Sequence, residues 1–186
     1  MKKIPDHAKL VFKGILHDVY QWEQEMFDGT FATFEAIKKR NAVSIIAVVG
    51  DKIIINNEEQ PNRPPFIAVP GGIAEDGYTV LENAQRELLE ETGYESDDWT
   101  PWFVSDVLKS GKIEWDNHFF IARNCKKTRE PELDPGERIE TRLVTLEEFI
   151  NIKNFESFRN KDLIPIFKKA LSSEDEKGKL RELLKI

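Results

Sequence analysis

The sequence predicts an α/β fold, and three observations carry that expectation. Runs of β-branched and aromatic residues alternate with turn clusters as far as Val69, a capped amphipathic helix follows, and further strand and helix signals come after it. At 186 residues, 40% hydrophobic and 33% charged, the chain is long enough for one sizeable core and marginal for two.

The early strands are expected at KLVFKGI, DVYQWEQEMF, FATFEAI, VSIIAVV and KIII. The stretch NNEEQPNRPP is expected to be an exposed loop, because Pro61, Pro64 and Pro65 remove ladder donors and fix φ. FIAV, Phe66 to Val69, reads as a short buried strand that Pro70, Gly71 and Gly72 end sharply. Thr79 and Glu82 form the T-x-x-E capping box and Gly93 is the left-handed stop, which predicts a helix from about Val80 to Thr92. On that helix Leu81, Ala84 and Leu88 make a core stripe. Beyond it, strands are expected at FVSDVL, HFFIAR and ETRLVT, and helices at Leu146 to about Ile150 and Ile164 to Leu171. The stretch SSEDEKGKLRELLKI leaves two readings open, a last amphipathic helix or a frayed tail.

Composition narrows the function classes. With 27 Lys+Arg against 34 Asp+Glu, the formal charge of -7 gives no general field toward a phosphate backbone, so no nucleic acid is expected as a partner. Cys125 is the single cysteine, which excludes an internal disulfide and a cysteine-rich zinc site. A reducing, cytoplasmic setting is expected. Pro5, Asp6, His7 and Lys9 interrupt the first apolar run, and SIIAVV is far short of a bilayer span, so neither secretion nor a membrane partner is expected.

The window PGGIAEDGYTVLENAQRELLEETGY holds the chemistry. Glu87, Glu90 and Glu91 sit at i, i+3 and i+4 and share a neighbouring face of the helix. Like charges so placed destabilise an isolated helix by a few tenths of a kcal/mol, roughly, per pair. A divalent cation reverses that sign, and magnesium prefers oxygen ligands together with substrate phosphate oxygens.

This window resembles the Nudix box, G-x5-E-x7-R-E-U-x-E-E-x-G-U, in which U is a large aliphatic or aromatic residue. Gly72 takes the first glycine, Arg86 to Leu88 the REU, and Glu90 to Tyr94 the remainder. One position departs: Tyr78 stands where the box has a glutamate that supports the arginine and the loop-helix corner. Glu75 and Asp76 are the nearby substitutes.

The resemblance implies a Nudix α/β/α sandwich with a mixed β-sheet. It implies hydrolysis of a nucleoside diphosphate derivative, with Mg²⁺ as cofactor and Mn²⁺ as a substitute. Glu87, Glu90, Glu91 and the Gly71 carbonyl would hold metal, and Arg86 would orient the carboxylates. The base would come from a box glutamate or from a late loop, where Glu137 is first choice and Glu140 second. Residues 1–42 resemble the amino-terminal β extension of the ADP-ribose pyrophosphatase branch, which often helps form a homodimer, with residues 43–186 as the Nudix domain. Gln60 and Arg63 resemble the Gln and Arg that many members carry before the box, placing Arg63 on phosphate. Trp22, Phe31 and Phe34 are candidates for stacking on a base and Arg40 or Lys38 for meeting phosphate, although core packing competes for the aromatics. ADP-ribose or a nucleotide sugar ranks first as substrate. A nucleoside triphosphate, oxidised nucleotides included, and a catalytically weak ligand-binding module are the alternatives. Cys125 carries little weight as the nucleophile of an isomerase.

Overall fold

The computed structural model describes residues 4–105, 112–152 and 155–186. An amino-terminal meander of β1 (Lys9–Lys13), β2 (His17–Glu25) and β3 (Phe31–Lys39) pairs antiparallel throughout. It leads into β4 (Ala42–Val49), which turns through Gly50 and Asp51 into β5 (Lys52–Glu59), followed by β6 (Phe66–Ala68). The helix α1 (Val80–Thr92) is followed by β7 (Tyr94–Glu95), β8 (Asp98–Ser105), β9 (Ile113–Glu114), β10 (Asn117–Arg123), β11 (Lys126–Lys127) and β12 (Arg138–Val144). Helices α2 (Leu146–Asn151), α3 (Ile164–Ala170) and α4 (Glu174–Leu184) complete the chain, so the charged C-terminal stretch is a helix, capped by Ser173.

The central mixed sheet runs β12-β5-β4-β10-β8, with β6 on β5. Only β4 and β10 pair in parallel within it. β4 is buried on both faces, which is why it reads as a continuous apolar run rather than an alternating one. Val43, Ile45 and Ala47 meet Ala84 and Leu88 of α1 on one side. Ile46 and Val48 share the other core with Phe149, Phe167 and Leu184 from α2, α3 and α4. The result is the expected α/β/α sandwich. No helix among the described residues is long and apolar enough to cross a membrane.

Two expectations need correction. β5 extends to Glu59, so Asn56 to Glu59 are strand and not loop. β12 pairs with this polar half on one edge and β6 on the other, and those ladder bonds override its weak apolar signal. β8 begins at Asp98 rather than Phe103. Pro101 is accommodated at a register shift on what is an edge strand, where its missing N–H costs no ladder bond. Residues 106–108 of that expected strand lie outside the described residues.

Gly93 ends α1 at φ 74°, donating its N–H to Leu89 O. Its carbonyl accepts from Thr128 N, and a Cβ on it would collide with the Arg129 carbonyl. Gly93→Ala is therefore expected to lose roughly 2–4 kcal/mol of stability, combining left-handed strain with a backbone clash. A urea midpoint equal to wild type would refute this.

Candidate active site

The site is built where α1 faces the Pro70-Gly71-Gly72 turn. Ile45 N donates to Pro70 O and Val43 N to Gly72 O, which lays the turn along the start of β4. Gly71 has φ 150° and lies so close to the Val43 carbonyl that no side chain fits. Pro70 and Gly72 turn their carbonyls to β4, whereas the Gly71 carbonyl accepts none of the described hydrogen bonds.

α1 is tied to this turn by its own carboxylates. Glu91 is buried, and its Oε2 accepts from Gly71 N and from Asn56 Nδ2, both at 3.0 Å. Asn56 Oδ1 in turn accepts from Thr141 Oγ1 of β12. The Glu87 carboxylate packs against Gly72, where an added Cβ would lie 2.5 Å from Oε2. Arg86 donates to Glu87 Oε1 at 2.7 Å and to Glu90 Oε2 at 2.5 Å, and stands 3.4 Å from Glu75. Glu75 thus serves Arg86 where the box glutamate is missing, while Asp76 pairs with Arg40 at 3.5 Å and Tyr78 is exposed. Asn83, buried on α1, holds the corner: it accepts from Glu75 N and donates to the Glu75 and Thr79 carbonyls.

These groups line a cleft of about 580 Å³. Its acidic wall includes Glu58, Glu87, Glu90, Glu91 and Glu137. Burial pushes Glu58 up to about 7, and burial with the neighbouring Glu90 and Glu137 does the same to Glu87 despite Arg86. Glu91 is held well above the carboxylate range by burial, then by Glu58 and Glu87. Burial and Asp134 raise Glu137. Lys39, Arg40, Arg63 and Arg159 also line the cleft. Burial lowers the pKa of Lys39, and the like charges of Arg159 and Arg63 add to it.

The donor set fits a hard, oxygen-seeking divalent cation, because burial concentrates more carboxylate than Arg86 alone neutralises. Among the described residues no three carboxylates already converge as a metal cage. Arg86, Asn56 and the Gly71 N–H hold them instead.

Of the residues expected from sequence, the cleft brings together Gly71, Arg86, Glu87, Glu90, Glu91, Glu137, Gln60, Arg63 and Arg40. Gln60 Nε2 lies 3.4 Å from Glu137 Oε1. Trp115 lines the cleft beneath Lys39, 4.8 Å from its ring centre. Trp22 and Phe34 pack on each other at 5.9 Å on the amino-terminal sheet, outside the cleft lining, as are Phe31 and Lys38. Glu140 accepts from Asn57 Nδ2 on the sheet edge. Cys125 is buried in the α1-side core with its thiol pushed up to about 11, unsuited to nucleophilic work. Glu58, Asn56 and Arg159 were not anticipated. Glu58 and Asn56 lay in the supposed loop, and the only signal was their two-residue spacing on an extended β5.

A family model described as NUDIX domain matches residues 38–165. The chain belongs to the Nudix family. It is a Nudix pyrophosphohydrolase with a small-molecule nucleotide substrate, and Nudix enzymes generally use divalent metals. It is similar to "ADP-ribose pyrophosphatase" of Bacillus subtilis (strain 168), 29% identical over 153 residues, covering 76% of this chain and 78% of that protein. It is also similar to "Methanol dehydrogenase activator" of Bacillus methanolicus, 27% identical over 160 residues, covering 84% and 86% respectively. A crystal structure of an "ADP compounds hydrolase" superposes with a TM-score of 0.71 at 19% identity, over 90% of this Nudix chain and 93% of that one, a likeness of fold.

Proposed function

We propose that this Nudix protein hydrolyses the diphosphate linkage of ADP-ribose or a related nucleotide sugar, with Mg²⁺ as its metal and Mn²⁺ as a substitute. The observation that carries this is a single cleft holding the Glu87-Glu90-Glu91 face and the cations Arg63 and Arg40. Opposite charges in one cleft suit a metal-bound diphosphate. Glu87, Glu90, Glu91 and the Gly71 carbonyl would hold the metal, which when bound neutralises the diphosphate and lowers the pKa of an attacking water.

The chain's own residues supply the rest. Arg86 fixes the rotamers of Glu87 and Glu90. Glu137 accepts a proton from the attacking water, a role its raised pKa suits, with Gln60 steering its carboxylate. Arg63 and Arg40 bind phosphate oxygens, leaving catalysis mainly to positioning and electrostatics.

The amino-terminal β extension, residues 1–42, is proposed to form a homodimer. Its support is the exposure of Leu10, Val11, Phe12, Phe31 and Phe34 on β1 to β3. Trp22 and Phe34 lie outside their own cleft lining, so stacking on a base requires a second copy. A cytoplasmic location accords with one buried, unpaired cysteine.

The test is incubation with Mg²⁺ and a panel of ADP-ribose, nucleotide sugars, dinucleotides, triphosphates and oxidised triphosphates, with products resolved by mass. AMP from ADP-ribose is the expected result. Inorganic pyrophosphate from a triphosphate would replace this reading with the triphosphatase. Absence of turnover with every substrate, despite metal binding, would make it a ligand-binding module.

A further inference from the structure

Arg159 belongs to no motif, yet the chain goes to some length to place it. The segment 157–160 is stitched alongside β6: Ile67 N donates to Ser157 O, Arg159 N to Ile67 O, and Val69 N to Asn160 Oδ1. Phe158 is fully buried against α3, and Asn160 Nδ2 reaches Ser44 Oγ of β4. Position 159 is therefore held by backbone bonds and by its neighbours, whatever its side chain binds.

That side chain reaches the cleft, where its guanidinium lies over the Phe66 ring at 5.0 Å. Stacking fixes the plane of an arginine while leaving its N–H edges available. Among the described residues no carboxylate oxygen lies within 4.0 Å of it, although Glu58, Glu91 and Glu137 are near enough to attract it. Arg63 and Lys39, both like charges, share its surroundings. An arginine held beside other cations, with no hydrogen bond or ion pair to its guanidinium among the described residues, is arranged for an anion.

We propose that Arg159 is a substrate-binding residue, its guanidinium donating to phosphate oxygens of the substrate's diphosphate beside Arg63. This rests on the diphosphate reading of the site. It assigns part of the specificity to residues 157–160, outside the Nudix motif.

Arg159→Ala and Arg159→Lys would be compared with wild type in steady-state kinetics on whichever diphosphate the panel identifies. ADP would also be titrated calorimetrically into each protein in EDTA. Loss of a charged donor pair predicts a KM about tenfold higher or more in the alanine variant, with kcat changed by less than about threefold. The lysine variant falls between, since it keeps the charge without the fork. ADP affinity in EDTA is expected to drop about tenfold or more in the alanine variant. An unchanged KM with lowered kcat and melting temperature would mean a structural role and overturn the proposal. Equal ADP affinity, or no ADP binding by wild type, overturns it as well. If wild type cleaves no diphosphate, the proposed reaction fails while the ADP titration still decides the role of Arg159. Should the alanine variant not fold, the lysine variant and Arg159→Gln carry the same comparison.

Discussion

Replacing Glu91 by glutamine is expected to abolish divalent-metal-dependent hydrolysis and to leave the protein folded and no less stable. Both halves follow from one environment. Glu91 Oε2 takes its two hydrogen bonds from the Gly71 N–H and Asn56, and a glutamine carbonyl oxygen can accept both. What disappears is the capacity to carry a negative charge, which burial, Glu58 and Glu87 all oppose in the metal-free protein. Losing one charge of the proposed metal site is expected to lower kcat by roughly 10³-fold, the scale seen when one transition-state electrostatic partner is removed. Thermal unfolding without metal should give a melting temperature equal to or above wild type. Wild-type turnover by the variant would show that Glu91 is no essential ligand, and a collapsed melting temperature would show that its charge holds the fold.

Metal-free protein is expected to lose stability as pH rises from about 4.5 to about 7, and added Mg²⁺ or Mn²⁺ to restore it. Glu58 and Glu87 are each raised from 4.5 to about 7 by burial. Between those values the folded protein keeps protons that the unfolded chain has released. It binds more protons than the unfolded state, so unfolding free energy falls with pH across the window. The contribution is intact below the unfolded value and gone above the folded one. A shift of that size corresponds to about 3 kcal/mol for each group, and less than the sum for both because the two titrate together. A divalent ion binds the ionised form and stabilises it by mass action, flattening the slope. Urea midpoints at pH 5 and pH 8, with EDTA and with metal, provide the check. A metal-free midpoint that is higher at pH 8 would contradict it.

Features whose signals are local were legible in the sequence. Thr79, Glu82 and Gly93 mark both ends of α1, because capping depends on residues three or four apart. Arg86 with Glu87 and Glu90 is likewise a matter of helical neighbours. What stayed hidden depends on pairing between distant segments. Asn56 and Glu58 sit on a polar half-strand made regular by β6 and β12, and Asn56 is buried because Glu91 and Thr141 satisfy it. Arg159 lies in a segment without periodicity, positioned by bonds to β6. Trp22 and Phe34 show the reverse: their chemistry suggested a base site, but sequence alone could not say that β2 and β3 pair them with each other.

The two sheets are joined by the same pair of chain segments running side by side. Ile37 pairs with Ile113 in the outer sheet, and Ala42 to Ala47 pair with Asn117 to Ala122 in the central one, always in parallel. For a chain emerging from a ribosome this sets an order of events. The β1 to β3 meander needs only near neighbours and can close early, and β4 can pair with β5, whereas the other edges of β3 and β4 must wait for β9 and β10, synthesised some 75 residues later. Until then the bare edge of β3 and the β4 side of the cleft stay unfinished, and a nascent chain that stops before Ile113 exposes unpaired strand edges.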